Sequence, residues 1–199
     1  MKNIKIVFYY FQELLKDLFG RSSHVICDPD GEKYIRNFSS HRKKEDGEII
    51  IDETLHVQVN YNLDEGKVIE ATNCRYDRVN NNVSAKNFPT TRTGVAERDI
   101  QLVYCNKWGI STSELLKKLD EIGLYPIERH ELLAIGAQYP DKQREYLIPA
   151  LGSVWQNSSD SKCYSPCLHG HGGVRLLDVI CYNVLWLTGY RIAVKKYED

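Results

Sequence analysis

The chain has 199 residues, of which 42% are hydrophobic and 27% are charged, and its formal net charge at pH 7 is -1. This length allows one good hydrophobic core, or one domain with a smaller attachment, and the composition is that of an ordinary globular protein. A net charge so close to zero supplies no positive field for phosphates, which excludes nucleic acid as an expected partner.

The sequence lacks the pattern of a signal peptide and the cysteine spacing of a disulfide framework, and both features predict a reducing, cytosolic environment. The apolar run from Ile6 to Phe11 is short and no small-residue cleavage site follows it, so we expect no signal peptide. No apolar segment reaches the ~20 residues of a membrane span. The six cysteines lack the spacing of a disulfide framework, which predicts reduced thiols. We expect a chain that is cytoplasmic as synthesised, with association to a virion or a cell surface left open.

Residues 1–20 predict an amphipathic helix. Apolar side chains recur there at helical spacing on one face: Ile4, Val7, Phe8, Phe11, Leu14, Leu15 and Leu18. Such a face has to cover apolar surface. Packing within the chain or self-association into a homo-oligomer is favoured over binding to a membrane surface.

Residues 21–95 predict a small β-rich extension. Two short strands flank a Pro-Gly turn, and a charged loop follows them. Val57, Val59 and Tyr61 then alternate with polar residues, the period of a half-buried strand. Residues 74–94 are polar and rich in turn formers, which predicts a long loop.

The next segment, from residue 95, predicts a strand followed by two helices. The strand places Ile100, Leu102 and Tyr104 on one side. Ser111 or Ser113 caps the first helix, which stops at Gly123, and the second helix runs after Pro126 and ends by Pro140. The inward side chains of the two helices are expected to be Leu115, Leu116, Leu119, Ile122, Leu132, Leu133, Ile135 and Ala137. His130 and Glu131 are expected to form a pair on the helix surface.

The final part of the chain predicts short strands separated by loops. A strand broken at Pro149 precedes a polar loop, residues 156–162. Short apolar pieces separated by Gly follow, and the sequence YRIAVKK, residues 190–196, predicts a terminal strand.

The segment from Cys163 to Tyr190 lacks Lys, Glu, Gln and Met, although these types form about one fifth of the chain before it. Cys, His, Gly, Tyr, Leu and Asp follow one another there without a repeating pattern. A buried, turn-rich core that disfavours long polar side chains would explain the absence. A process that draws residue types from a restricted set would explain it too, and both alternatives stay open on composition alone.

Alternation after Arg175 separates two faces of a predicted strand. One face is uniformly apolar, with Leu177, Val179 and Cys181, and the other is chemically mixed, with Leu176, Asp178, Ile180 and Tyr182. A core face needs apolar volume, whereas a binding face accepts any chemistry. We therefore expect the mixed face to be exposed.

Candidate ligand-binding residues lie on both sides of this strand. Cys167, His169 and His171 alternate with Leu168 and Gly170 and are expected to share the exposed side. The full candidate set is Tyr164, Cys167, His169, His171, Leu176, Asp178, Ile180, Tyr182, Asn183, Val184, Leu185, Leu187, Gly189 and Tyr190. Arg175, Trp155, Trp186 and Arg191 are expected to be framework, because Arg can bridge several backbone carbonyls and Trp buries a large area.

The order of elements after residue 95 resembles the C-type lectin fold, an α+β fold with two helices and irregular antiparallel sheets. More narrowly it resembles the branch shared by formylglycine-generating enzymes and the variable proteins of diversity-generating retroelements. In that branch a Gly-Gly-Ser-Trp-like strand, here Gly152, Ser153 and Trp155, precedes an Arg-containing strand and a closing Gly-Phe-Arg strand, here Gly189-Tyr190-Arg191. The match covers the second half of the chain well and the first half loosely. The resemblance implies a C-type lectin-like domain over 96–199 with a variable region over 163–190.

This resemblance implies a function that accounts for the missing residue types. Such retroelements copy a template by error-prone reverse transcription that substitutes bases at adenines, in templates rich in AAC and AAT codons. Changing the first two positions of these codons cannot yield Lys, Glu, Gln, Met or Trp, so Trp186 would be an unmutated scaffold position. The resemblance thus implies a non-catalytic display protein that binds a protein ligand through a hypervariable surface. It implies no metal and no cofactor.

An enzyme and an assembly protein remain as alternatives. Formylglycine-generating enzymes carry two copper-binding cysteines after the Gly-Ser-Trp-like strand, near the positions of Cys163 and Cys167, but this pair is one residue closer than the family pattern. An assembly protein of a phage or cell surface would use the predicted helix over 1–20 to oligomerise. The Cys and His residues of the variable region fit no usual zinc spacing, and the region has no calcium-type sugar triplet.

Overall fold

The computed structural model describes residues 47–63, 78–171 and 173–197. These residues belong to one compact unit that runs from Asp46 to Asp199. The helix predicted over 1–20 and most of the extension predicted over 21–95 lie outside the described residues. The domain boundary predicted at residue 95 lies inside the compact unit, because a strand from each side of it joins the same sheet.

The first sheet has four strands in the order β1-β3-β11-β5, and each neighbouring pair is antiparallel. The strands are β1 (Ile49–Asn60), β3 (Val95–Cys105), β5 (Leu124–Pro126) and β11 (Ile192–Lys196). The predicted period-two pattern of β1 is confirmed, since Val57, Val59 and Tyr61 are buried. On the predicted side of β3, Ile100 and Leu102 are buried and Tyr104 is half-buried.

Both predicted helices are present, and a short third one follows them. They are α1 (Thr112–Glu121), α2 (Arg129–Gln138) and α3 (Lys142–Glu145). Ser111 is the N-cap of α1, because its Oγ accepts a hydrogen bond from the backbone N of Glu114 at 3.3 Å. Gly123 follows the end of α1 with φ of +70°, a left-handed conformation that glycine adopts without steric cost.

One residue predicted to be buried by α1 is exposed. Ile122 is 54% exposed, whereas Leu115 and Leu119 of the same predicted face are buried. The helix ends at Glu121, one residue before Ile122. The chain then reverses at Gly123, so the helical period no longer determines where the Ile122 side chain points.

The prediction that His130 and Glu131 form a pair on the helix surface is wrong. Both residues are buried in α2, which packs against β1. Glu131 is neutralised there by an ion pair with the buried Lys195 of β11, and Tyr61 Oη donates a hydrogen bond to Glu131 Oε1 at 2.9 Å. The opposite charge comes from a distant part of the chain, and helical periodicity gave no sign of it.

The second sheet contains the hairpin formed by residues 163–181. Its strand order is β2-β9-β8-β6, and β7 also pairs with β8. Among the described strands only the β2–β9 pair is parallel. The strands are β2 (Arg78–Val79), β6 (Ile148–Pro149), β7 (Trp155–Gln156), β8 (Cys163–His171) and β9 (Val174–Cys181).

A two-stranded ribbon completes the described fold. It pairs β10 (Leu185–Trp186) with β4 (Ile110–Ser111), in antiparallel register. One core cluster joins side chains from β1, β3, α2, β8 and β9. The protein is therefore an α+β fold with mostly antiparallel sheets and, in the described ranges, three helices. None of these three is long and apolar enough to cross a bilayer.

The side chains expected to be framework occupy connecting positions. Arg175 is buried and its Nη2 donates to the backbone O of Gly136 at 2.5 Å. Arg191 Nε donates to Asp52 Oδ2 at 2.7 Å, and its guanidinium lies 4.4 Å from the ring centroid of Tyr104 and 4.2 Å from that of Tyr146. Trp155 packs at the edge of the core, with its ring centroid 5.8 Å from that of Tyr164 and 6.3 Å from that of Phe88.

Candidate binding surface

The β8–β9 hairpin brings two sets of predicted site residues to one face. Its antiparallel register sets Cys167 opposite Asp178 and His169 opposite Leu176. Directly opposed residues in such a ladder point to the same side of the sheet. We call this side the hairpin face; its members with described side chains are Cys163, Ser165, Cys167, His169, Val174, Leu176, Asp178, Ile180 and Tyr182. The other side carries Leu168, Leu177 and Val179 into the core, as predicted for the last two.

The prediction that the hairpin face is exposed is wrong for three of its candidate residues. Leu176 is 8% exposed, Ile180 is 9% exposed and Cys167 is 2% exposed. His169, Asp178 and Tyr182 keep partial access to solvent. Alternation along a strand separates the two faces, but it does not tell whether the second face is also covered. Here much of the second face is covered.

Asp178 is the centre of a polar cluster on the hairpin face. Asn80 Nδ2 donates to Asp178 Oδ1 at 2.6 Å, and the backbone N of Val179 donates to the same oxygen at 2.7 Å. His169 Nε2 lies 3.9 Å from Asp178 Oδ2. Burial by itself raises the pKa of Asp178, but the contacts with His169, Asn80 and Val179 outweigh it and hold the pKa below its usual value. Asp178 is therefore a charged group whose oxygens are already engaged.

The Cys167 thiol is unsuited to nucleophilic chemistry. Its complete burial, assisted by the negative charge of Asp178, raises its pKa well above the ordinary value. A thiol reacts and binds metals as the thiolate, and this environment disfavours the thiolate. The cluster of Cys167, His169 and Asp178 therefore does not constitute an activated cysteine site.

Metal binding finds no support in the arrangement of the cysteines. Cys163 and Cys167 lie four residues apart on one strand, which places their Cα atoms ~13 Å apart. One copper ion cannot bind two thiolates at that separation, so the geometry disfavours the oxidase alternative. Across the described ranges, no group of three or more His, Cys, Asp and Glu side chains is placed to hold a metal ion.

Between residues 163 and 190, exposed side chains lie at Val174 and in the segment 182–187. Asn183 and Leu185 are exposed, the latter by 43%, and Tyr182, Val184 and Leu187 are half-buried. Strand pairing sets Leu185 opposite Ser111 and Trp186 opposite Ile110. Because Trp186 and Ile110 are both buried, the other side of the ribbon, which carries Leu185, faces outward. We call residues 182–187 together with 108–111 the display ribbon.

Trp108 belongs to the display ribbon although sequence analysis did not select it. It is 39% exposed and precedes Gly109, whose φ is +73°. A Cβ atom at Gly109 would lie 3.6 Å from Leu185 Cδ1, so Leu185 covers this glycine. The available signal was a Trp-Gly pair just before a predicted helix cap, where a large apolar side chain on a turn is unusual.

The remaining candidate residues serve other roles or lie outside the described side chains. Tyr164 points away from the hairpin face, packs on Trp155 and donates through its hydroxyl to Asp160 Oδ2 at 2.8 Å. Burial and the charge of Asp160 raise the pKa of Tyr164. Tyr190 is buried in an edge-to-face contact with Trp186, with the ring centroids 5.6 Å apart, and Gly189 is half-buried. The backbone of His171 belongs to β8, but its side chain lies outside the described part of the structure.

A shallow groove lies at the start of α2, with a volume of about 210 Å³. Its lining residues are Phe88, Pro89, Thr90, Thr91, Glu128, Gly152, Ser153 and Val154. The carboxylate in this groove belongs to Glu128. Its Oε2 accepts a hydrogen bond from Thr90 Oγ1 at 3.3 Å, and its Oε1 lies 3.7 Å from Arg92 Nε. These contacts hold together the loops around the groove.

Comparisons of the chain with protein-family models, with curated proteins and with solved structures gave no match.

Proposed function

We propose that this chain is a non-catalytic ligand-binding protein that displays a diversified C-terminal surface on a C-type lectin-like scaffold. The display ribbon is the binding surface, and the expected ligand is another protein. Diversification arises from adenine-directed mutagenesis by a retroelement. One observation carries the proposal. Residues 182–187 belong to the compositionally unusual region, and buried framework residues hold this segment in place, so its exposed side chains are not needed for the fold.

The order and pairing of elements support the proposed scaffold. From residue 95 onward the first strand, β3, pairs antiparallel with the last strand, β11. Helices α1 and α2 follow the first strand, and the hairpin sheet is inserted before the last. This is the arrangement that the resemblance to C-type lectins leads one to expect.

Burial narrows the set of residues that we propose to contact ligand. Cys167, Leu176, Ile180 and Tyr190 are buried and act as scaffold, although all four lie within the proposed variable region. The proposed ligand-contacting residues are Tyr182, Asn183, Val184, Leu185 and Leu187, with Trp108 beside them. Variation at the buried positions would have to preserve packing, whereas variation at the exposed positions would change only what the surface binds.

The chemistry of the display ribbon favours a protein ligand. Trp108 and Leu185 present apolar surface to solvent, which is costly to solubility unless a partner covers it. Aromatic side chains at the centre of a contact commonly supply much of the binding energy between proteins. A nearby ion pair, Lys107 Nζ to Glu114 Oε1 at 2.9 Å, provides the type of polar surroundings found at the rims of such contacts.

The test of this proposal is the DNA that flanks the gene. We expect a near-copy of the segment that encodes residues 163–190, differing only at adenine positions, beside a gene for a reverse transcriptase. The codons for Val184 and Leu185 should differ from that copy at adenines, whereas the codons for Asn183 and Trp186 should match it. Flanking DNA without such a copy, or a copy whose differences fall equally on all four bases, would refute the proposal.

A further inference from the structure

The Thr112 hydroxyl lies between Tyr182 and Trp186, at the two ends of residues 182–186. Its Oγ1 donates a hydrogen bond to the backbone O of Tyr182 at 2.5 Å and accepts one from Trp186 Nε1 at 2.9 Å. Thr112 is buried and is the first residue of α1. One side-chain oxygen therefore joins both ends of a five-residue segment to the start of a helix.

Neither of these two bonds depends on the side chains that the segment displays. A hydroxyl has one proton to donate and two lone pairs to accept with, so these two bonds use its proton and one lone pair and together fix its orientation. The acceptor is the main-chain carbonyl of Tyr182, which every residue type possesses. The donor is the indole of Trp186. Tryptophan is the one residue type among residues 163–190 that the proposed mutagenesis of AAC and AAT codons cannot produce.

Thr112 is itself held in place by the elements around it. Ser111 caps α1 through Glu114 N, and the same Ser111 pairs with Leu185 in the ribbon. Ile110, the preceding residue, is buried opposite Trp186. The hydroxyl is thus fixed by a helix cap on one side and by strand pairing on the other.

We propose that Thr112 is the positioning residue of the display ribbon: it fixes the backbone of residues 182–186 and thereby lets the side chains at 183–185 vary without loss of the fold. This inference rests on the proposed function and adds to it the residue that makes variation tolerable. Buried polar groups that lose their partners are destabilising. Without the hydroxyl, the Tyr182 carbonyl and the Trp186 indole would lose their common partner, and the segment would depend on its own side chains for order.

The experiment combines changes at Thr112 with changes in the segment, in the full chain. Thr112→Val keeps the size and removes the hydroxyl, and Thr112→Ser keeps the hydroxyl. Each is made with the original segment and with a substituted one, Asn183→Asp with Val184→Ser and Leu185→Tyr, all types that the proposed mutagenesis allows. Two quantities are measured without any ligand: the melting temperature, and the exchange rate of the Trp186 indole proton by NMR.

We expect the wild type and Thr112→Ser to melt at the same temperature with either segment and to protect the indole proton equally. In Thr112→Val the indole proton should exchange at least about tenfold faster. The substituted segment should then lower the melting temperature, although it has no such effect when the hydroxyl is present. The rescue by Ser separates a role of the hydroxyl from a role of side-chain size.

Equal tolerance of the substituted segment in Thr112→Val and Thr112→Ser would overturn the inference. A chain that fails to fold both as Thr112→Val and as Thr112→Ala would overturn it too, because the hydroxyl would then be required for folding in general. The search for a flanking template is independent of these measurements. If no template were found, the proposed function would be refuted. The comparison of Thr112→Val with Thr112→Ser would still decide whether Thr112 orders the segment.

Discussion

Arg175 donates two hydrogen bonds to the side-chain oxygen of Gln143, from Nε at 3.2 Å and from Nη2 at 3.0 Å. The amide nitrogen of the same Gln143 donates to the backbone O of His169 at 3.0 Å and of Leu176 at 3.2 Å. A single buried glutamine on α3 therefore connects both strands of the hairpin with the framework arginine. Gln143 therefore anchors the β8–β9 hairpin.

Replacing Gln143 with Leu should lower the free energy of unfolding by about 2–4 kcal/mol. The side chain keeps its approximate size, but the Arg175 guanidinium loses a buried acceptor and two strand carbonyls lose a donor. Urea unfolding followed by circular dichroism measures the change. The control is Gln156→Leu, because Gln156 is exposed and should shift stability by less than about 0.5 kcal/mol. Equal effects of the two substitutions would contradict the anchoring role.

The substitution Ile180→Asp should destabilise the protein far more than Leu185→Asp. Ile180→Asp buries an unpaired carboxylate beside Asp178 and should cost about 3 kcal/mol or more. Leu185→Asp places the charge at an exposed site and should cost less than about 1 kcal/mol. Thermal melts of the two variants at equal concentration give the comparison. If Ile180→Asp left the melting temperature unchanged, the hairpin face would be open to solvent. That result would contradict its assignment as scaffold.

Stability should fall at alkaline pH in a manner that depends on Tyr61. Burial, followed by the negative charge of Glu131, raises the pKa of Tyr61 to about 12. Unfolded tyrosine ionises near pH ~10. The folded state therefore binds this proton more tightly, and its stabilising contribution is complete below pH ~10 and is lost as pH rises toward 12.

The measurement for Tyr61 is the urea midpoint of the wild type and of Tyr61→Phe between pH 9 and about 12. Phe cannot ionise, so the difference in stability between the two proteins should shrink as pH rises through this range. Other tyrosines and lysines titrate in both proteins and cancel in the difference. A constant difference across the range would show that Tyr61 ionises equally easily in both states.

Alkylation should distinguish the three cysteines of the β8–β9 hairpin. Cys163 and Cys181 are half-buried, whereas Cys167 is fully buried with a raised pKa. In the native protein we expect Cys167 to react with iodoacetamide at least about tenfold more slowly than Cys163, and in urea at similar rates. Peptide mapping by mass spectrometry reads each site separately. Fast native alkylation of Cys167 would contradict the closed hairpin face and reopen a chemical role for this thiol.

Local patterns in the sequence were sufficient to predict many of the elements and their inward faces. The alternation at Val57 and Val59 identified β1, and Ser111 with Gly123 set the limits of α1. These predictions succeed because each depends on the geometry of a single element: the period of a strand or helix, or the backbone freedom of one residue. The framework roles of Arg175 and Trp186 were also predicted, from the chemistry of their side chains.

Tertiary structure alone decided which predicted surfaces are open and which residues connect them. Alternation assigned Leu176 and Ile180 to one face of a strand, but their burial depends on what lies over that face. Glu131 is tolerated inside α2 because Lys195, far away in the sequence, supplies its counter-charge. Thr112 meets Tyr182 and Trp186 because the pairing of β4 with β10 brings these distant parts of the chain together. A sequence determines the period of each element by itself, whereas solvent access is a property of all elements packed together.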